Sequence, residues 1–231
     1  MKIKDSKSTI PSLILASASP RRRELLEEEG IPFKVCAAHV REIGWNREVK
    51  RRWGGAAAVA RENARRKSLA ASRRHPGKWV LGADTVVVWR GEVFGKPGDL
   101  AEAFEMLQKL NGRTHQVITG VCLACSRRVV CLAAVRSRVT FKKLTPAQIR
   151  RYLRLINPLD KAGAYAAQEH GRSIIRRVEG SWTNVVGLPM EWVRRHVLLK
   201  TLQSVHPAYS RGMNVPPKVH SDPIKGVRPC V

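Results

Sequence analysis

The sequence is short of acid. Its 231 residues hold 18 Asp and Glu against 43 Lys and Arg, a formal charge of +25. Aromatic residues are also few, at 6%, and there are only five cysteines. Each shortage excludes something. Five cysteines in a chain of this length do not make a disulfide framework, so a reducing cytoplasm is expected. No apolar run approaches the roughly 20 residues that cross a bilayer; the longest, residues 129–135, suits a strand. Residues 1–20 imitate a signal peptide, but their apolar centre at residues 13–16 is shorter than the roughly 7–15 residues such a segment needs. Walker A loops, Gly-x-Gly-x-x-Gly fingerprints and histidines four apart are all missing. What is present is 43% hydrophobic residues, enough for a packed core. Secreted, membrane-spanning and fibrous classes fall away.

The positive charge is unevenly spread. Residues 34–79 carry 13 basic and 3 acidic side chains, and residues 127–154 carry 9 basic and none acidic. Residues 80–126, between them, are close to neutral. Such a surface attracts polyanions: nucleic acid, anionic membrane or phosphorylated small molecules. A solvated, arginine-rich surface without a partner explains the same composition.

Periodicity and punctuation predict an α/β chain with a mixed sheet. A short strand at residues 12–16 leads into a helix opened by Ser19-Pro20 and stopped by Gly30. A second strand follows at 33–37 and a long Ala- and Arg-rich helix at 55–74. Residues 79–89 read as a Val-rich strand broken by a turn at 82–85. A helix at 99–110, a hairpin of 117–125 with 129–141, and a capped helix from Thr145 to Ile156 come next. A strand at 173–178 and a helix at 190–203 close the pattern. The expected organisation is a lead-in at 1–10, one domain at 11–204 and a disordered basic tail at 205–231.

Three patches carry chemistry. In Ser17-Ala18-Ser19-Pro20-Arg21-Arg22 a strand turns into a helix, and the free N–H groups of the first turn make an anion site. Ser17 and Ser19 add hydroxyls, and Arg21 and Arg22 add forked donors suited to phosphate. An ordinary capped helix is the plainer reading. Gly82-Ala83-Asp84-Thr85 places a carboxylate where the strand is expected to run out, sited for a metal or a proton. Gly95-Lys96-Pro97 holds one lysine on a constrained backbone. The third patch is Asp160-Lys161-Ala162-Gly163-Ala164-Tyr165-Ala166-Ala167-Gln168, followed by residues 180–189, which end in Val186-Gly187-Leu188-Pro189; a buried turn before the last helix is the plainer reading of that second stretch. Cys122 and Cys125 have zinc-like spacing, but three apart on a strand they face opposite sides and are expected in or near the core.

Together and in this order, these blocks resemble the Maf family of nucleoside triphosphate pyrophosphatases, over residues 13–199. The resemblance implies a two-lobed α/β fold similar to inosine triphosphate pyrophosphatases, with substrate in a cleft between lobes. It implies hydrolysis of a nucleoside triphosphate to monophosphate and pyrophosphate with a divalent cation, magnesium or manganese. By position, Asp84 matches the catalytic proton acceptor; Arg21, Thr85 and Gln168 match substrate selection; Lys96 matches the phosphate lysine, with Ser17, Ser19 and Arg22 alongside. Glu42 matches a metal-linked glutamate, and Asp84 is its expected companion. The chain departs from the pattern with Arg41 before Glu42 in place of a second acid and with Glu169 in place of glycine. Asn63 stands where a helix lysine is common, with Lys67 one turn on.

Arg21, Thr85 and Gln168 side with the branch acting on dTTP and UTP. The branch acting on 7-methyl-GTP, and a basic nucleic-acid-binding or cell-division regulatory protein, are the alternatives. The expected partner is a free nucleotide, with no specific nucleic acid and no membrane; a homodimer is left open.

Overall fold

The computed structural model describes residues 13–198. The lead-in, the tail and residues 199–203 of the expected last helix lie outside the described residues.

The chain opens with β1 (Leu13–Leu15), α1 (Pro20–Glu28), β2 (Phe33–Val35), α2 (Arg47–Trp53), α3 (Ala56–Arg74), β3 (Trp79–Trp89) and β4 (Glu92–Phe94). It continues with α4 (Leu100–Leu110), β5 (Thr114–Cys125), β6 (Arg128–Phe141) and α5 (Pro146–Leu153). Two 3-10 turns, Pro158–Asp160 and Ala162–Ala164, lead to α6 (Gly171–Ile174), β7 (Ile175–Glu179), α7 (Trp182–Val186) and α8 (Met190–Val193). The backbone of α8 runs on as a π-helical stretch, Arg194–Leu198.

The sheet has seven strands in the order β2-β1-β3-β5-β6-β7, with β4 also on β3. β1 runs parallel to β2 and β3, and the other pairs are antiparallel. The expected mixed sheet flanked by helices is therefore what forms.

Alternation along β3 divides the two faces. Leu81, Ala83 and Val87 point into the main core with Leu25 and Leu26 of α1, Leu107 and Leu110 of α4, and Ile149 of α5. Gly82 and Asp84 point the other way, under α3. This face is built on close approach. A Cβ on Gly82 would lie 2.5 Å from the Ala64 carbonyl oxygen, and one on Gly120 would lie 2.2 Å from that of Ala60. Ala60, Ala64 and Ser68, one turn apart, give α3 the flat stripe that lets its backbone rest on those glycines. The 82–85 segment is thus not a turn. β3 runs through it, and Asp84 pairs with Gly120 in mid-strand.

A different interruption creates the cleft. β5 covers one edge of β3 along nearly its whole length. On the other edge, β1 pairs only as far as Leu81 and β4 begins only at Val87. Between them lies a notch in the sheet, with Asp84 and Thr85 of β3 at its back. The expected break at 82–85 belongs to the neighbouring strands.

Smaller differences have local causes. α2 was not expected, because its Arg-Glu-Val-Lys-Arg-Arg-Trp sequence buries no residue; only Asn46 and Gly54 mark its ends. The strand expected from residue 173 begins as α6 and becomes β7 at Ile175. α5 stops at Leu153, three residues early, although the Thr145–Gln148 capping box forms at its start. Cys122 is buried on β5 and Cys125 half-buried, as their strand placement requires.

Candidate functional site

The notch opens into a cavity of about 770 Å³. Its wall includes the start of α1, the 37–45 segment, α3, β3, the Gly95-Lys96 pair, the 160–167 segment and the 185–187 turn. Five sequence blocks, spread from residue 16 to residue 187, therefore meet in one place.

At the α3 face, three elements bring charge together. Lys67 of α3 donates to Asp84 Oδ1 at 2.7 Å and pairs with Glu42 Oε1 at 2.8 Å. Asn63, one turn earlier, donates to Asp84 Oδ2 at 3.1 Å. The same Asn63 side chain accepts from the Ile43 N–H at 2.8 Å and donates to the Ile43 carbonyl at 3.2 Å. It thereby pins the loop that carries Glu42 to the strand that carries Asp84. Asp84, Asn63 and Lys67 are buried, while the Glu42 side chain is 55% exposed. Burial raises the Glu42 carboxyl, but the hydrogen bond and charge of Lys67, with Lys96 and Arg22 beyond, hold it below the ordinary carboxylate value.

On the opposite face, Arg22 is a buried hub. Its Nε donates to the Gly187 carbonyl at 2.8 Å, Nη1 to Ser17 Oγ at 2.9 Å and Nη2 to Thr85 Oγ1 at 3.0 Å. Burial lowers its guanidinium below the ordinary value, and the charge of Asp84 opposes that. Thr85 is further held by Thr119 at 3.0 Å. Ser19 occupies the N-cap of α1, but its hydroxyl caps no backbone N–H. A capping position with an idle hydroxyl, next to the positive end of a nine-residue helix, leaves that end open for an anion.

These features fit a polyanion lying across the notch. One side offers the α1 terminus, Ser17, Ser19 and Arg22; the other offers Lys67 and two carboxylates; Lys96 is exposed on the rim. The Maf-like protein model matches residues 12–200 of this chain. The chain belongs to the Maf-like family. Its relatives include the dTTP/UTP pyrophosphatase of Akkermansia muciniphila, 46% identical over 186 residues that cover 80% of this chain and 95% of that protein. The protein of the same name from Myxococcus xanthus is 48% identical over 178 residues, covering 77% of this chain and 87% of the relative. Among solved structures, the Ham1 protein of Staphylococcus aureus is similar at a TM-score of 0.45 and 16% identity, covering 82% of this chain and 99% of that one. That likeness is too distant to bear on function.

In this Maf-like chain, Asp84, Glu42, Arg21, Arg22, Thr85, Ser17, Ser19 and Lys96 all line the cavity. Gln168 does not: Ala166 and Ala167 turn inward, and Gln168 is exposed beyond them. The sequence reading gave Lys67 no role, yet it joins both carboxylates. The signal was there, because Asn63 and Lys67 lie four apart on the α3 face that carries the small-residue stripe.

Proposed function

We propose that the chain hydrolyses dTTP and UTP to the nucleoside monophosphate and pyrophosphate. The convergence of five separated blocks on one cavity supports this reading. Family membership and relatives named dTTP/UTP pyrophosphatase support it as well.

In this reading the triphosphate tail lies against the start of α1, where N–H groups, the Ser17 and Ser19 hydroxyls and the charges of Arg22 and Lys96 hold it. Arg22, whose Nε, Nη1 and Nη2 already bond within the protein, acts chiefly through charge. Asp84 takes a proton from the water that attacks the α-phosphorus. The bond from that phosphorus to the bridging oxygen breaks, and pyrophosphate leaves. Lys67 places fixed positive charge beside oxygens that gain negative charge, the largest contribution in most reactions of this type. Asn63 holds the Asp84 carboxylate in one orientation.

A divalent cation, magnesium or manganese, belongs to the same reading. Magnesium takes one or two carboxylates and completes its shell with phosphate oxygens and water. The half-exposed Glu42 carboxylate, joined to Asp84 through Lys67, suits that donor set. Glu42 would hold the ion, with Asp84 serving either as its second ligand or as the base and not fully as both; when bound, the ion supplies charge neutralisation on the phosphate oxygens. Arg21 and Thr85, which line the cavity, are assigned to substrate choice; Gln168, exposed outside it, is not. The substrate is a free nucleotide rather than nucleic acid or membrane, the setting is the cytoplasm, and a homodimer is compatible. Among the described residues, no helix is long and apolar enough to cross a membrane.

Asp84→Asn tests the core of this reading, because it keeps the shape and removes the charge. Pyrophosphate release from UTP is expected to fall by about 100-fold or more, with near-unchanged circular dichroism. Activity within about tenfold of the wild type overturns the role of Asp84.

A further inference from the structure

Three charged side chains from two segments meet in the cavity wall. Arg21 of α1 donates from Nη1 to Asp160 Oδ2 and from Nη2 to the Asp160 carbonyl, both at 3.3 Å. Lys161 Nζ donates to Asp160 Oδ1 and to the Asn157 carbonyl, both at 2.9 Å, and pairs with Glu169 Oε1 at 3.4 Å. Each oxygen of the Asp160 carboxylate therefore faces one cation. The three groups form a row in which Lys161, its three N–H donors all spent inside the protein, positions Asp160, while Arg21 keeps donors to spare.

The members of the row differ in exposure. The Arg21 side chain is 18% exposed, Lys161 4% and Asp160 40%, so the acceptor in the middle is the most open of the three. A carboxylate has about four acceptor positions, and Arg21 and Lys161 take two of them, which leaves capacity for a further donor. Apolar side chains share the cavity wall with the row. Val87, Val93, Ala162 and Ala166 line the same cavity. Gly163, at φ +70°, has a Val87 methyl 3.0 Å from where a Cβ would stand, so the turn beside the row has no room for a side chain there. Burial raises the Asp160 carboxyl, but Lys161 and Arg21 outweigh it and keep the group ionised.

Uracil and thymine present a carbonyl, an N–H and a second carbonyl along one edge: acceptor, donor, acceptor. Cytosine replaces that N–H by a bare ring nitrogen and one carbonyl by an amino group. We infer that Asp160, held in place by Arg21 and Lys161, is a specificity-determining residue that accepts the N3–H of uracil or thymine, with the Arg21 guanidinium beside one of the carbonyls. The inference rests on the pyrophosphatase reading and deepens it: it names the side chain that separates uracil and thymine from cytosine. A cytosine ring nitrogen would set an acceptor against the carboxylate, and a mismatch of this kind in a polar site costs far more than a missing methyl group.

The test compares kcat/KM on two substrate pairs. With the wild-type enzyme, 3-methyl-UTP, which lacks the N3–H, is expected to fall about 30-fold or more below UTP. This arm involves no mutation and no risk to folding. With Asp160→Asn, whose amide can turn a donor toward the cytosine ring nitrogen, the CTP-to-UTP ratio is expected to rise about tenfold or more. Hydrolysis of 3-methyl-UTP within about threefold of UTP overturns the inference. So does an Asp160→Asn enzyme that loses UTP and CTP activity by the same factor, which marks a purely structural ion pair. A wild-type enzyme that cleaves neither UTP nor dTTP overturns the pyrophosphatase reading and this inference with it.

Discussion

Single residues here were legible by type and order, less so by partner. Asp84, Arg22 and Ser17 were singled out by the chemistry of their side chains and Glu42 by the family resemblance, and all four line the cavity. Their contacts were not legible. Arg22 hands its Nε, Nη1 and Nη2 to Gly187, Ser17 and Thr85, across 165 positions in the longest case. Lys67 could be picked out by its spacing from Asn63, but its two partners, Glu42 and Asp84, emerge only when α3 is laid on β3. His115 carried no sequence signal at all. It is buried against Phe141 and Tyr165, its Nε2 lies 2.9 Å from the Tyr165 hydroxyl, and its Nδ1 has no partner among the described residues. Burial pushes its imidazole down to about 3. The unfolded chain takes up this proton near pH 6.5, while the folded chain resists it, so the residue's contribution is full above pH 6.5 and is lost as pH falls toward 3. The slope is at most about 1.4 kcal/mol per pH unit. Urea unfolding of the wild type and His115→Gln between pH 7 and 5 is expected to show a steeper decline in the wild type. Parallel pH profiles would contradict that.

Elements were legible where punctuation and periodicity agreed. The Ser19-Pro20 start of α1, the Thr145 capping box and the hairpin of β5 with β6 fall where expected. Gly82 misled because a glycine can mark either a turn or a close approach, and local sequence does not separate the two. The partner that decides between them, the Ala64 backbone, comes from another element. Gly120 is the sharper case, since a side chain there meets main-chain atoms of Ala60 and Arg61 that cannot rotate away. Gly120→Ala is expected to destabilise by about 3 kcal/mol, at the upper end of overpacking costs. It should also lower kcat, because α3 carries Asn63 and Lys67. Gly44→Ala, with nothing within 4 Å of the added carbon, should stay within about 0.5 kcal/mol of the wild type in stability. Chemical denaturation of both variants decides it: equal stabilities would mean that α3 does not rest on the sheet as described.

At the scale of the whole molecule, the alternation of strands and helices gave the α/β class, but the sheet order that makes the notch did not follow from it. Two short strands, β1 and β4, share one edge of β3 and leave the segment around Asp84 and Thr85 unpaired there. No count of apolar residues specifies where a three-residue strand stops pairing. The charge is a molecular property as well. A formal +25 favours encounter with any polyanion, so affinity alone cannot identify the substrate, whereas the reaction products can. The most direct measurement is therefore kcat/KM for dTTP, UTP, CTP and 7-methyl-GTP with magnesium, with pyrophosphate and monophosphate both quantified. The account predicts dTTP and UTP ahead of 7-methyl-GTP by about tenfold or more, with equal amounts of pyrophosphate and monophosphate released. A preference for 7-methyl-GTP, or accumulation of nucleoside diphosphate, would contradict it.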